Sequence, residues 1–104
     1  MIKHIVTLDL LPDYDQDELA DIMTGIDGLR ATISGFKHFE HGPNKDFEGM
    51  SPHCTYGFIC QFQDEAASRS YIVDSDHNEL GQRLVNMCNG GVKGITVVDL
   101  AITS

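Results

Sequence analysis

The chain has 104 residues, 41% hydrophobic and 22% charged, which is the composition of one globular domain with a modest core and not of a disordered chain. Seven Lys and Arg against sixteen Asp and Glu give a formal net charge of −9, a field that repels nucleic acid and anionic membranes, with no basic cluster to make a local exception. No apolar run has the ~18 residues of a membrane span, the opening Met1-Ile2-Lys3-His4 lacks a signal-peptide core, and Cys54, Cys60 and Cys88 are odd in number without zinc spacing, so a cytoplasmic protein with free thiols is expected.

Residues 2–10 alternate, which predicts a strand with Ile2, His4, Val6, Leu8 and Leu10 on its buried face and Lys3, Ile5, Thr7 and Asp9 on the other. Residues 16–33 predict a helix, because Leu19, Ile22, Met23, Ile26, Leu29 and Ile33 form one apolar stripe. Asp15 with Glu18 three residues on resembles a capping box at its start, and Gly25 and Gly28 weaken its interior by about 1 kcal/mol each relative to Ala. Residues 36–41 predict a short strand, 43–52 a polar loop with two prolines, and 53–63 a longer strand. In that strand Cys54, Tyr56, Phe58, Cys60 and Phe62 share one face, and Thr55, Gly57, Ile59 and Gln61 the other. A short helix follows over 64–73 until Asp74-Ser75-Asp76 interrupts it. Asp76 and Glu79 form a second capping-box-like pair that opens a helix over 77–88, which Asn89-Gly90-Gly91 stops. Residues 94–102, rich in Ile, Thr and Val, predict the last strand.

The order β-α-β-β-α-β, with its second helix in two pieces, is that of an α+β domain of ferredoxin-like, split βαβ type: a four-stranded antiparallel sheet with helices on one face. The opposite face carries Ile5, Ile59 and one row of the last strand, either Ile95 and Val97 or Thr96, Val98 and Leu100, beside Thr7, Thr55 and Gly57. A face that is half apolar suits a second sheet better than water. A symmetric homodimer, sheet against sheet, is therefore expected.

Three polar-tipped residues converge by pattern on the space between helices and sheet. His77 starts the stripe that continues through Leu80, Gly81 and Leu84, His4 shares its face with Val6 and Leu8, and Tyr71 follows Ala67 at helical spacing. Such a set suits proton transfer: a neutral imidazole takes a proton near neutral pH, and a phenol hydrogen-bonds a developing oxyanion. The helix N-terminus favours neutral His77, whereas Asp74 and Asp76 favour its cation. The bland alternative is that each is a satisfied core polar group. His38 and His41 fall on opposite strand faces, as do His53 and Cys54, and neither pair chelates one metal. Asp13, Asp15, Asp17 and Glu18 read as a solvated helix start, and Cys60 has no basic neighbour in sequence to activate it. No phosphate loop, nucleotide fingerprint or nucleophile elbow is present, so neither a metal nor an organic cofactor is expected.

The opening Met1-Ile2-Lys3-His4-Ile5-Val6, the Gly42-Pro43-Asn44 after the second strand, the strand Thr55 to Phe62, the stretch Tyr71 to His77 and the closing Val97-Val98-Asp99 together resemble the Dabb family, the stress-responsive α/β-barrel domain proteins. The resemblance implies a ferredoxin-like dimer whose two sheets close into a barrel. It also implies the chemistry of a plant polyketide cyclase of that family, an intramolecular aldol cyclisation run by a His and a Tyr without metal or organic cofactor. Carried onto this chain, His77 is the catalytic base, Tyr71 its partner and His4 a pocket histidine. The apolar lining falls on Val6, Leu8, Ile22, Ile26, Phe58, Cys60, Leu80 and Met87. The family commonly has His-Pro-x-His before the long helix, and here Asp74-Ser75-Asp76-His77 stands instead. The acidic pair disfavours an anionic ligand such as a coenzyme A thioester and favours a neutral, enolisable, mostly apolar one. The alternatives are a non-enzymatic stress-associated dimer with no catalytic pocket and a small monooxygenase-like dimeric barrel.

Overall fold

The computed structural model describes residues 1–103. Its elements in chain order are β1 (Ile2–Leu8), α1 (Gln16–Gly28), a 3-10 turn (Leu29–Ala31), β2 (Phe36–Pro43), β3 (Tyr56–Phe62), α2 (Glu65–Val73), α3 (Ser75–Val85), a second 3-10 turn (Gly91–Gly94) and β4 (Ile95–Ala101). The strands form one antiparallel sheet in the order β2-β3-β1-β4, the ferredoxin-like arrangement that the element order predicts.

Register decides which residues stand side by side. His4 lies opposite Cys60 on β3 and opposite Asp99 on β4, and Cys60 lies opposite Phe39 on β2. Phe39, Cys60, His4 and Asp99 therefore form one row across the helix-covered face. On the other face Glu40, Ile59, Ile5 and Val98 form a row, with Thr96 and Leu100 on the same side of β4. Of the two possibilities for the last strand, Thr96, Val98 and Leu100 take the open face, and Ile95 and Val97 look towards the helices. A bulge at Lys37 in β2 brings both Phe36 and Phe39 to the inner face, although simple alternation would separate them.

The core joins Leu19, Ile22, Met23 and Ile26 of α1 to Leu8, Phe58 and Phe62 of the sheet, all at most 5% exposed. Gly25 lets α3 approach α1: a Cβ there would lie 2.8 Å from Leu80 Cδ2.

Several boundaries differ from the sequence-based expectation. β1 ends at Leu8, because Asp9 N–H donates to the Gly94 carbonyl and Leu11 N–H to that of Met87, which draws the chain away from β3. Leu10 stays buried and forms an isolated bridge to Cys88. β3 begins only at Tyr56, since the Asn44 amide donates to the carbonyl of Cys54 and to Ser51 and folds the preceding residues into the loop. α1 stops at Gly28 and tightens into the 3-10 turn, which keeps Leu29 and Ile33 buried. Asp15 caps α1 by accepting from the N–H groups of Asp17 and Glu18, but Glu18 does not close a box: its carboxylate pairs with Arg83 of α3 at 2.6 and 2.9 Å. The cap of α3 is Asp74, not Asp76, so that helix starts two residues earlier than expected.

Candidate functional site

A single extended residue builds the site. Asp74, with φ −68° and ψ 131°, ends α2 by donating its N–H to the Tyr71 carbonyl, and its Oδ1 accepts from the His77 N–H at 2.9 Å to start α3. One residue between two helices turns the chain so sharply that Tyr71, in the last turn of α2, and His77, in the first turn of α3, stack with ring centroids 3.9 Å apart. His4 on β1 meets the Tyr71 ring edge-on at 5.4 Å. The three sequence-predicted residues thus come together.

The structure adds a fourth that sequence reasoning left without a role. Asp99 Oδ1 accepts a hydrogen bond from His4 Nδ1 at 2.7 Å, which places a proton on that nitrogen. The signal was a lone carboxylate in an apolar strand, but only the register puts it opposite His4.

Burial sets the electrostatics. His77 Nδ1 is buried and has no hydrogen-bond partner among the described residues. Desolvation, helped by the nearby His4, holds the His77 pKa below its ordinary value, against the carbonyls of Ile72 and Tyr71 and the Asp74 carboxylate. The ring is accordingly a neutral base at physiological pH. Burial raises Tyr71, which stays a phenol, and pushes the Cys60 thiol up to about 12. Cys60 Sγ lies 3.8 Å from the Tyr71 oxygen and, as donor, leaves the phenol O–H free. It is no nucleophile.

Val6, Leu8, Ile22, Ile26, Phe58, Cys60 and Met87 are all buried within the core cluster, and Leu80 packs at its edge against α1. A groove of about 380 Å³ runs between α2 and β4, lined by Ile2, Ser68, Arg69, Ile72, Asp99 and Ala101 among others; Asp99 lines it, and the rings of His4, Tyr71 and His77 do not. A second groove, also about 380 Å³, lies on the far side of the sheet where Gly42 stands opposite Gly57. His38 faces that far side and His41 the near side, where His41 Nδ1 meets the Tyr56 hydroxyl. Among the described residues no three His, Cys, Asp or Glu side chains converge on one point where a metal ion would be held.

The family model of the stress responsive A/B barrel domain matches residues 2–102. Among curated proteins none matches the chain. Of solved structures, a dimeric ferredoxin-like protein of unknown function from Jannaschia sp. CCS1 is similar at 40% identity and a TM-score of 0.91, over 97% of this chain and 98% of that one. The hydroxynitrile lyase of Passiflora edulis shares the fold at 15% identity and a TM-score of 0.80, over 98% and 93% of the two chains. SnoaB, a cofactor-independent oxygenase from Streptomyces nogalater, does so at 11% identity and 0.75, over 99% and 93%.

Proposed function

The chain belongs to the stress responsive A/B barrel domain family, and we propose that within it this protein binds or transforms a small, mostly apolar, enolisable compound by acid–base chemistry of its own side chains. One observation carries this reading: a buried, unpartnered nitrogen on a neutral imidazole, stacked on a phenol and beside a carboxylate-held second imidazole. Burial keeps that imidazole in the neutral form that accepts a proton.

His77 takes the proton from the carbon beside the ligand's carbonyl. The electron pair moves into the enolate, and its oxygen accepts from the Tyr71 O–H. His4, held by Asp99, orients the ring cluster. The proton returns to carbon or oxygen of the product, so the cycle is balanced without a redox partner. Relatives of this fold that carry a lyase and a cofactor-independent oxygenase are compatible with side chains supplying the chemistry. The acidic Asp74 and Asp76 at the head of α3 favour a neutral ligand.

The protein would act as a homodimer through the open sheet face, as the half-exposed Val98 and Leu100 beside Ile5 and Ile59 suggest and as the dimeric Jannaschia relative supports. Its three free cysteines fit the reducing cytoplasm.

A thermal-shift panel of β-dicarbonyl and aromatic ketones on wild type and His77→Ala tests the reading. A compound that raises the wild-type midpoint and not the variant's supports it, and proton–deuterium exchange at that compound's acidic carbon then measures turnover. If both proteins respond equally to every compound, or neither responds, the non-enzymatic dimer replaces it.

A further inference from the structure

We infer that the loop joining β2 to β3 is a preformed arm that grips a second copy of the chain, with Phe47 and Met50 as its anchors. The inference rests on the homodimer proposed above and adds to it an element outside the sheet.

The loop is built inside out. Phe47 is 93% and Met50 81% exposed, whereas Asp46 and Ser51 beside them are half-buried. Polar side chains fix the loop from within. The Asn44 amide donates to Ser51 Oγ at 2.9 Å and to the Cys54 carbonyl at 2.7 Å, and its oxygen accepts from the Asp46 N–H at 2.9 Å. Asp46 Oδ1 in turn accepts from the Ser51 N–H at 2.9 Å and from its hydroxyl at 3.0 Å. A tight turn closes the tip: the Gly49 N–H donates to the Asp46 carbonyl at 3.0 Å, with positive φ at Asp46, 48°, and at Gly49, 65°. Phe47 stands at the first central position of that turn and Met50 just beyond it, and both border one cleft of about 540 Å³. Two large apolar side chains held outward on an ordered loop call for a covering surface, since burying an aromatic alone takes about 150–250 Å² out of water.

Three observations make that surface a second copy of this chain. The chain exposes 6520 Å², whereas a self-contained monomer of its mass, 11.5 kDa, exposes roughly 5800 Å². The excess of roughly 700 Å² is close to the ~800 Å² that each partner buries in a standard interface. The arm is also continuous with the open sheet face: Pro43 and Asn44 line both the cleft at Phe47 and the groove over Ile5, Gly57 and Ile59. Finally, the Jannaschia protein, 40% identical over 97% of this chain, is dimeric. An anionic lipid surface is the poorer occupant, because the net charge of −9 repels it. In a two-fold pair each copy offers the same arm, so the anchors of both seat at once.

The chain has no Trp, so Phe47→Trp makes a single reporter of where the anchor lies. Its emission should move to the blue as protein concentration rises through the dissociation constant of the dimer, measured by sedimentation. Emission that stays that of a solvent-exposed indole in the fully dimeric protein would overturn the inference. Phe47→Ser combined with Met50→Ser should weaken self-association at least about thirtyfold, the loss expected when anchors are removed. The circular dichroism should stay that of a folded chain, because neither side chain belongs to the core. A double variant that dimerises as tightly as wild type would remove the arm from the interface. The sheet face fails or stands separately. If only Val98→Glu dissociates the dimer, the sheet face stands and the arm falls; if only the double serine variant does, the arm holds the copies without the sheet face. A wild type that is monomeric at millimolar concentration removes both. Phosphatidylcholine vesicles bound by wild type and not by the double variant, with dimerisation equal in the two, would give the arm to a lipid surface instead.

Discussion

Val6 and Val97 are the same residue on the same face of one sheet, directly opposite in register, yet one is 3% and the other 49% exposed. The contrast extends along both strands. β1 alternates between buried and half-buried, as β3 does, whereas β4, hydrogen-bonded to β1 along its length, is open on both faces after Ile95. The helices cover β3, β1 and the start of β2 at Phe36, and leave β4 as a shelf. Burial is a property of what lies above a strand, and hydrogen bonding to a buried neighbour does not confer it. The shelf has two consequences: its inner row carries Asp99 to His4, and its outer row leaves Val98 and Leu100 uncovered.

The sharpest way to break the comparison is to put a carboxylate on each valine. Val6→Asp should cost more than about 4 kcal/mol in urea denaturation, since it leaves a charge unpaired in the core. Val97→Asp should stay within about 1 kcal/mol. Similar losses at both would mean that β4 is covered after all. Val98→Glu tests the outer row. It should weaken self-association by about 2–4 kcal/mol, read by sedimentation, while circular dichroism stays that of a folded chain, and an unchanged dimer would remove the sheet face from the interface.

Asp99→Ala should cost about 1–3 kcal/mol because it leaves the buried His4 Nδ1 without its acceptor. Asp99→Asn, whose amide oxygen still accepts, should recover most of that, and equal losses in the two variants would show that charge and not the hydrogen bond matters. The smallest effect is on pH dependence. The His77 pKa lies below 6.5 in the folded chain and close to its ordinary value when unfolded. Between those two values the unfolded chain binds more protons, so stability rises with pH there. The contribution is complete above about pH 6.5 and is lost as pH falls towards the folded value. His77→Gln should flatten the wild-type slope of midpoint against pH below 6.5. An unaltered slope would place the ring in water.

Much of the site was legible because it depends on local period. His4 follows the strand alternation with Val6 and Leu8, Tyr71 follows Ala67 by four, and His77 begins the stripe through Leu84, so each residue's face was given by its immediate neighbours. Asp99 was not legible. The two rows of β4 are about equally apolar, so alternation leaves open which one turns inward, and the partner of His4 depends on strand register. The cap of α3 failed for a related reason. Asp74 and Asp76 are the same residue type two positions apart, and the choice falls to Asp74 because it alone can end α2 and start α3 at once. Glu18 had the right spacing for a capping box, but the bidentate pairing with Arg83, available only when α3 packs on α1, is the stronger interaction.

The sequence by itself determined the order of strands and helices, the inner faces of β1 and β3, and the fact that two histidines and a tyrosine point into the layer between helices and sheet. These follow from backbone geometry, where a period of 2 or 3.6 assigns a side without knowledge of the rest of the chain. Only the tertiary structure decided that His4 meets Asp99, that Asp74 folds the rings of Tyr71 and His77 together, and that Val97 lies open while Val6 is sealed. Those depend on which distant segments arrive above and beside a residue, and no local period encodes that.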